Sequence, residues 1–486
     1  MKKKEDTTKK VKRHLNFRLV SFILIICSLI TFILLAKSKL FSIFTIILIG
    51  VVFFLINFIF VKGLTSKLKV WVKNVITFFV AIIVIAEIVF CVMGSKAIDF
   101  LSSIIDTGIR TYTYDVYVLD KSEYQELKDL NNKLISYINN DNINDINKEL
   151  NKTIQYKTRI SDDTNKLMEG IINEEVDAIV LDQSYIDVIK EYNESDYSKL
   201  RKIYSFEITT KIKVEKNSKN ISNTPFVVYV SGIDTTGKIS SNARSDVNIL
   251  LAVNPNTKKV AIVSTPRDYY VELPSKGKKD KLTHAGLYGL NESMKSLGKL
   301  YDVDVDYYLR INFTSFIDII DTIGGIEVDV EDKFCESNEE RSTKKNDLIC
   351  LEKGTQTLSG RQALAYARNR HGFAKGDISR GNHQMEIVTA MINKMSTKDT
   401  LKNYNKLIDA LKGKLLTNIN IDDLYKISKK ELKDNSSYQV ESYTPEIKDM
   451  NKLADCYSIG DWAYVLIGND DSVNNISSKL KEVLSN

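Results

Sequence analysis

Three apolar stretches occupy most of the first hundred residues: Leu19–Ala36, Leu40–Val61 and Val75–Met93. Each is long enough to cross a hydrocarbon core of about 30 Å as a helix. A secretory signal peptide is one short apolar region with a cleavage site, so three spans argue against one. The charges set an orientation. The leading MKKKEDTTKKVKRH is strongly basic, and the second linker carries Lys62, Lys67, Lys69 and Lys73. Both are expected on the cytoplasmic side, which places everything after Met93 outside. Glu87 lies within the third span. It is expected as a protonated or outward-snorkelling carboxyl with no specific role.

The net charge of +6 belongs to this N-terminal part. The first 99 residues hold 15 Lys and Arg against 4 Asp and Glu, out of 68 and 62 in the chain. The remainder therefore holds 53 basic and 58 acidic groups and is slightly acidic. That balance excludes a basic nucleic-acid footprint over the main body. The five cysteines include no Cys-x-x-Cys pair, and the four histidines make no zinc spacing. Cys335 and Cys350 flank a polar loop, ESNEERSTKKNDLI, between two strand-like runs. Outside the cell they would form a disulfide; the alternative is two unpaired thiols.

All five prolines follow residue 220, which marks a boundary near that point. Before it, from about Thr111 to Val214, strand-like runs (TYTYDVYVL, VDAIVL, EITTKIKV) alternate with polar helical stretches, as in a small α/β domain. After it, PFVVYVSGID, DVNILLAVNP, KKVAIVSTPRD and VDYYLRINF read as strands. NESMKSLGKLY reads as a helix capped by Asn291, and TSFIDIIDTIGG as a helix stopped by glycine. IEVDVEDKF and the run around Leu348–Lys353 read as a hairpin, and Ser359 to Gln362 matches a capping box. The fold class is α/β, a mixed central sheet flanked by helices.

Five arginines stand beside apolar runs in this part: Arg244, Arg267, Arg368, Arg370 and Arg380. Arginine offers a forked, permanently charged donor set suited to phosphate. Asp234 ends a strand, where side chains face the crevice of an open α/β sheet. Arg244 and Asp246 are two apart and share a face if extended. Asp377, Arg380 and Gln384 form one stripe if helical. Surface salt bridges are the ordinary fate of any one of these residues. The set together points to an anion, with two carboxylates near it for a metal.

The stretch from about Phe226 to Met395 resembles the LytR-CpsA-Psr family. The motifs that carry the resemblance are VYVSGIDTT, ARSDVNILLAVNP, VAIVSTPRDYYVEL, VDYYLRINFTSFIDIIDTIGGIEVDV and LSGRQALAYARNRHGFAKGDISRGNHQ. The segment KLTHAGLYG, with Lys281 and His284, is looser than the family's pattern there. The resemblance implies an α/β sandwich after an accessory domain and three membrane helices. It implies transfer of a secondary wall glycopolymer, such as teichoic acid or capsular polysaccharide, from an undecaprenyl-pyrophosphate-type carrier to peptidoglycan. Asp234 and Asp246 then resemble the pair that holds Mg²⁺, or Mn²⁺ in its place. Arg244, Arg267, Arg368, Arg370, Arg380 and Gln384 resemble the pyrophosphate contacts, and Asp234, Arg244, Asp246 and Arg267 the catalytic set. The lipid tail would lie in an apolar tunnel between sheet and helices.

The expected organisation is a cytoplasmic basic tail (1–18), three transmembrane helices (19–99), an extracellular accessory domain (100–220) and an extracellular catalytic domain (221–486). The expected partners are the lipid-linked glycan, peptidoglycan and the membrane, without nucleic acid. Two other functions fit the same residues. One is a pyrophosphate hydrolase on the same carrier; the other is a non-catalytic envelope regulator or transcription attenuator.

Overall fold

The computed structural model describes residues 2–37, 43–104, 108–212, 214, 219, 221–234, 239, 242–339, 342, 344–369, 377–395, 415–420, 423, 426–427, 430 and 437–485. The chain divides into two compact units, Met1–Ser103 and Ile104–Asn486.

The first unit consists of α1 (Lys2–Lys37), α2 (Ile43–Thr65) and α3 (Val70–Ile104). Asn16–Ala36, Phe44–Thr65 and Val70–Val92 are long and apolar enough to cross a membrane. Leu24, Leu64 and Val80 pack at the centre, while Phe22, Phe44, Phe54 and Phe78 point outward. Glu87 is not an outward-snorkelling group. It is buried, and Ser28 Oγ donates to its Oε1 at 2.6 Å.

The second unit opens with five strands: β1 (Ile109–Leu119), β2 (Leu134–Ile138), β3 (Lys157–Ser161), β4 (Ala178–Asp182) and β5 (Leu200–Lys211). Their order is β3-β2-β4-β1-β5. β2 runs parallel to β3 and β4, and β1 antiparallel to β4 and β5. The interleaved helices are α4 (Ile143–Leu150), α5 (Thr164–Ile172) and α6 (Ile186–Tyr197). Alternation along the strands separates two cores. Tyr114, Val116 and Tyr137 face Ile146 and Leu150 of α4, whereas Tyr117, Ile179 and Leu181 face Leu167 and Ile171 of α5 and Ile189 of α6.

The larger sheet is built on β6 (Phe226–Ile233), β7 (Val247–Asn254) and β8 (Lys259–Ser264). A small hairpin, β9 (Tyr270–Leu273) and β10 (Lys278–Lys281), leads to α7 (Leu282–Ala285) and α8 (Leu290–Tyr301). Asn291 does not cap α8. Gly289, at φ +100°, occupies the N-cap position and starts the helix before Asn291 is reached. Next come β11 (Tyr307–Asn312) and α9 (Phe313–Thr322). Two nested pairs follow. β12 (Ile326–Val330) pairs with β15 (Gly354–Leu358), and β13 (Phe334–Glu336) pairs inside them with β14 (Ile349–Leu351). α10 (Gly360–Arg368) opens on the expected capping box, with both the Ser359 and Gln362 arms formed. α11 (Asp377–Met395), β16 (Leu415–Thr417), β17 (Gln439–Tyr443), the hairpin β18 (Ile447–Cys456) and β19 (Asp461–Gly468), and α12 (Asp470–Leu484) complete it.

The six-stranded order is β16-β11-β6-β7-β8-β17. β11 and β17 join in parallel and the other neighbours antiparallel, so the sheet is mixed. Tyr229, Leu250, Ala261 and Tyr308 on one face pack on Leu297 and Tyr301 of α8 and Ile476 and Leu480 of α12. Val230, Ile249 and Ile262 on the other face pack on Met385 and Val388 of α11. This is a layered α/β sandwich, as expected. Helices beside the five-stranded sheet pack against it: Val188 of α6 packs with Leu287, Cys456 and Val465, and Thr164 Oγ1 donates to the Ser458 carbonyl at 3.1 Å.

Cys335 and Cys350 are cross-strand partners and are joined as a disulfide across a separation of 15 residues. Closing a loop of that size stabilises by about 3 kcal/mol, mainly by restricting the unfolded chain. A double Cys335→Ser, Cys350→Ser variant is expected to melt several degrees lower in thermal unfolding. It should also lose all response to reductant; an unchanged melting temperature would refute the contribution.

Candidate functional site

A cavity of about 390 Å³ opens between the sheet and the helices α9, α10 and α11. Strand alternation sends Val230, Gly232, Ile249 and Ile311 into it from the sheet. Phe313 and Phe316 come from α9, Leu364 and Ala367 from α10, and Ile387 and Val388 from α11. These walls are apolar. The polar groups gather on it from strand and helix ends: Asp234, Asp246, Arg267, Arg368, Arg380 and Gln384. A small second pocket is lined by Asp246, Arg267, Arg380 and Gln384 as well, so these four lie around one point.

Each is fixed by its element. Asp234 directly follows β6, and Asp246 directly precedes β7, its N–H donating to the Gly232 carbonyl at 2.9 Å. Arg267 follows β8; its Nη1 donates to Asp246 Oδ1 at 2.8 Å, and its Nε lies 3.6 Å from Asp268. That Nε is buried without a hydrogen-bond acceptor. Burial pulls the Arg267 pKa down, but Asp246 and Asp268 outweigh it and hold the group above its ordinary range. Arg368 ends α10, donates to the Asn338 carbonyl at 2.9 Å, and stacks its guanidinium 5.0 Å from the Phe313 ring. Arg380 is buried in α11, and Gln384 one turn later donates to the Ala367 carbonyl at 3.2 Å. Gly381 makes the approach possible, since a Cβ there would lie 3.0 Å from Ser264 Oγ at the end of β8.

Two expected residues are placed differently. Arg370 lies outside the described residues. Arg244 does not line the cavity: its Nη1 donates to Glu191 Oε2 of α6 at 2.6 Å, with Asp187 at 4.0 Å. Asp377 begins α11, the helix that also carries Arg380 and Gln384.

Three further residues, not expected from the sequence, shape the site. Arg310 is fully buried on the sheet face opposite the cavity. Its Nε donates to Ser231 Oγ at 3.1 Å, and its Nη2 to Ser245 Oγ at 3.0 Å and the Ala243 carbonyl at 3.4 Å. Burial lowers its pKa to about 10. It ties β11 to the segment that carries Arg244 and Asp246. An arginine between Leu309 and Ile311 in an otherwise apolar strand was the available signal. Glu336 and Asn312 also line the cavity. Asn312 caps α9 by accepting from the Ser315 N–H at 3.0 Å, and Glu336 is placed there by the disulfide-linked β13.

His383 precedes Gln384 and stacks 4.2 Å from the Tyr366 ring. Burial lowers its pKa to about 4 from an ordinary 6.5. The unfolded chain therefore takes up this proton first as pH falls. Stability that is full above pH 6.5 is lost as pH drops towards 4, by about 3 kcal/mol. Melting temperature measured from pH 7 to 4.5 is expected to fall more steeply for the natural protein than for His383→Gln. Parallel curves would exclude His383 as the cause.

As metal donors, Asp234 and Asp246 are two carboxylates on one cavity, and no group of three or more His, Cys, Asp or Glu with metal-holding geometry occurs among the described residues. Mg²⁺ commonly uses one or two carboxylates together with substrate phosphates, so this pair fits a shared site and not an all-protein cage.

A model described as the LytR_cpsA_psr family matches residues 195–482. The polyisoprenyl-teichoic acid–peptidoglycan teichoic acid transferase TagT of Bacillus subtilis is 36% identical over 202 residues, covering 41% of this chain and 61% of that protein. The chain thus aligns with less than two thirds of that relative. The transferase of the same description TagU of Bacillus licheniformis is 33% identical over 223 residues, covering 46% and 69%. A crystal structure of B. subtilis TagU is 26% identical, with a TM-score of 0.41 over 54% of this chain and 98% of that one. With a family match across more than half of its length, reaching from the end of α6 into the final helix, this chain belongs to the LytR-CpsA-Psr family.

Proposed function

We propose that the protein transfers a secondary wall glycopolymer from a polyprenyl-pyrophosphate carrier to peptidoglycan by Mg²⁺-assisted phosphoryl transfer. One observation carries this reading. A single cavity joins an arginine-rich, carboxylate-bearing end to apolar walls, the complement of a lipid with a pyrophosphate head. The relatives' names point to the same donor and acceptor classes. The three apolar helices support action at the membrane, and the basic N-terminal tail supports a cytoplasmic N-terminus with the larger unit outside. The Cys335–Cys350 disulfide supports an oxidising, extracellular setting.

Phosphoryl transfer asks for positioning and charge neutralisation more than covalent work from the protein. Arg267, Arg368 and Arg380 bind and orient the pyrophosphate oxygens, with Gln384 beside them. Asp234 and Asp246 would hold Mg²⁺, which supplies further neutralisation of the phosphate charge when bound. The acceptor hydroxyl oxygen forms a bond to the sugar-proximal phosphorus. The bond from that phosphorus to the bridging oxygen breaks, and polyprenyl monophosphate leaves. The hydroxyl proton goes to Asp234, which directly follows β6 and lines the cavity. Val230, Ile249, Ile311 and Phe316 shield the lipid from water.

The test incubates the full-length protein with lipid-pyrophosphate-linked glycan and peptidoglycan oligomers in Mg²⁺ and Mn²⁺. Glycan covalently attached to the oligomers is expected. Free glycan phosphate alone would replace transfer by hydrolysis, and no turnover would favour a regulator.

A further inference from the structure

Helix α6 brings two carboxylates to Arg244, two residues before the cavity-lining Asp246. Asp187 and Glu191 are four residues apart and share one helical face. Both address Arg244, Glu191 at 2.6 Å and Asp187 at 4.0 Å. The Arg244 side chain is only 19% exposed and that of Glu191 38%, so water screens the closer pair incompletely. Asp246, two residues on, lines the cavity, and Arg244 does not.

The backbone around Arg244 is pinned. Ala243 N–H donates to the Gly286 carbonyl at 3.2 Å, Ser245 N–H to the Thr283 carbonyl at 3.2 Å, and Arg310 holds the Ala243 carbonyl at 3.4 Å. A Cβ on Gly286 would lie 2.3 Å from the Ala243 carbonyl, so the two segments cannot close further. The helix is pinned as well. Val188 is fully buried against Leu287, Cys456 and Val465, and Tyr192 lies over Lys281, which pairs with Asp268 at 3.0 Å. Movement at this contact therefore falls to the Arg244 and Glu191 side chains, and Arg244 can exchange one anionic partner for another without a change of fold.

We propose that Glu191, supported by Asp187, is a resident competitor of the pyrophosphate for Arg244. It neutralises the guanidinium in the absence of substrate, and the bound pyrophosphate captures Arg244 by exchange. The first domain thereby sets substrate affinity. After transfer the lipid monophosphate has fewer oxygens to hold Arg244, and Glu191 takes it back, which favours product release. The proposal rests on the pyrophosphate reading of the cavity.

The test measures binding of inorganic pyrophosphate to the full-length protein by calorimetry. It compares the natural protein with Glu191→Gln, Arg244→Gln and the double variant. Glu191→Gln is expected to tighten binding about three- to tenfold, the scale of a partly screened charge pair. Asp187→Asn should act in the same direction and less. In the Arg244→Gln background the Glu191→Gln effect should shrink below about twofold. Unchanged or weaker binding by Glu191→Gln overturns the proposal. So does equal tightening with and without Arg244, which would mark a general field effect. Absence of pyrophosphate binding by the natural protein refutes the cavity reading and this proposal with it, and that arm separates the two failures.

Discussion

Arg267→Ala is expected to lower kcat/KM for the proposed glycopolymer transfer by about three orders of magnitude, the scale on which a phosphate-directed arginine acts. Three features of its surroundings set this apart from a surface substitution. Arg267 lines the cavity and holds Asp246 at 2.8 Å. Its Nε is buried without an acceptor, which suits a phosphate oxygen. Removing it also leaves two carboxylates near the anion site, of which Asp268 keeps Lys281 at 3.0 Å while Asp246 loses the ion pair described above. The variant therefore changes the local field by one charge and points an uncompensated carboxylate at the substrate. Arg267→Lys retains the charge but not the planar fork, so a loss of about 30- to 100-fold is expected. Steady-state transfer assays on both variants, with melting temperatures as a folding control, decide the matter. Transfer within tenfold of the natural rate in a folded Arg267→Ala protein would remove Arg267 from the site.

The parts of this fold legible in the sequence were those set by local chemistry. The membrane-length helices follow from uninterrupted apolar runs, and the start of α10 from Ser359 and Gln362 three residues apart. The start of α8 was misread because Asn291 looks like a cap, whereas the positive φ of Gly289 opens the helix earlier. The arginines and aspartates were legible as a set because they recur at the ends of apolar runs. Most of those described do meet at one cavity. Arg244 was not legible in the same way. Its partner Glu191 lies 53 residues earlier on α6, and spacing within one strand carries no information about that helix. Arg310 escaped notice for a related reason. Its role comes from Ser231 and Ser245, two hydroxyls that only the β6–β11 pairing and the loop before β7 bring together.

These placements make the joint between α9 and α10 the weak point of the site, and Gly360 tests it. Gly360 is the first residue of α10, and its N–H donates to Asp321 Oδ1 at 2.6 Å. A Cβ there would lie 2.3 Å from the Ile317 carbonyl oxygen and 2.7 Å from the Ile317 Cα. Both atoms are backbone within α9, so no side chain can swing aside, and the two helices must part. Gly360→Ala is expected to cost about 3 kcal/mol or more and to lower the melting temperature by about 5 °C or more. Gly354→Ala supplies the contrast: it has φ +110° and nothing within 4 Å of an added Cβ, so backbone strain alone should cost about 1 kcal/mol. The functional consequence follows from what the helices carry. α9 supplies Phe313 and Phe316, and α10 supplies Leu364, Ala367 and Arg368. Separating them moves Arg368 off the Phe313 ring that it now stacks on at 5.0 Å. Transfer activity should therefore fall in Gly360→Ala even below its melting temperature, and remain near normal in Gly354→Ala. A Gly360→Ala protein with the natural melting temperature would mean that α10 can shift without loss, and that Arg368 is not held in place by this packing.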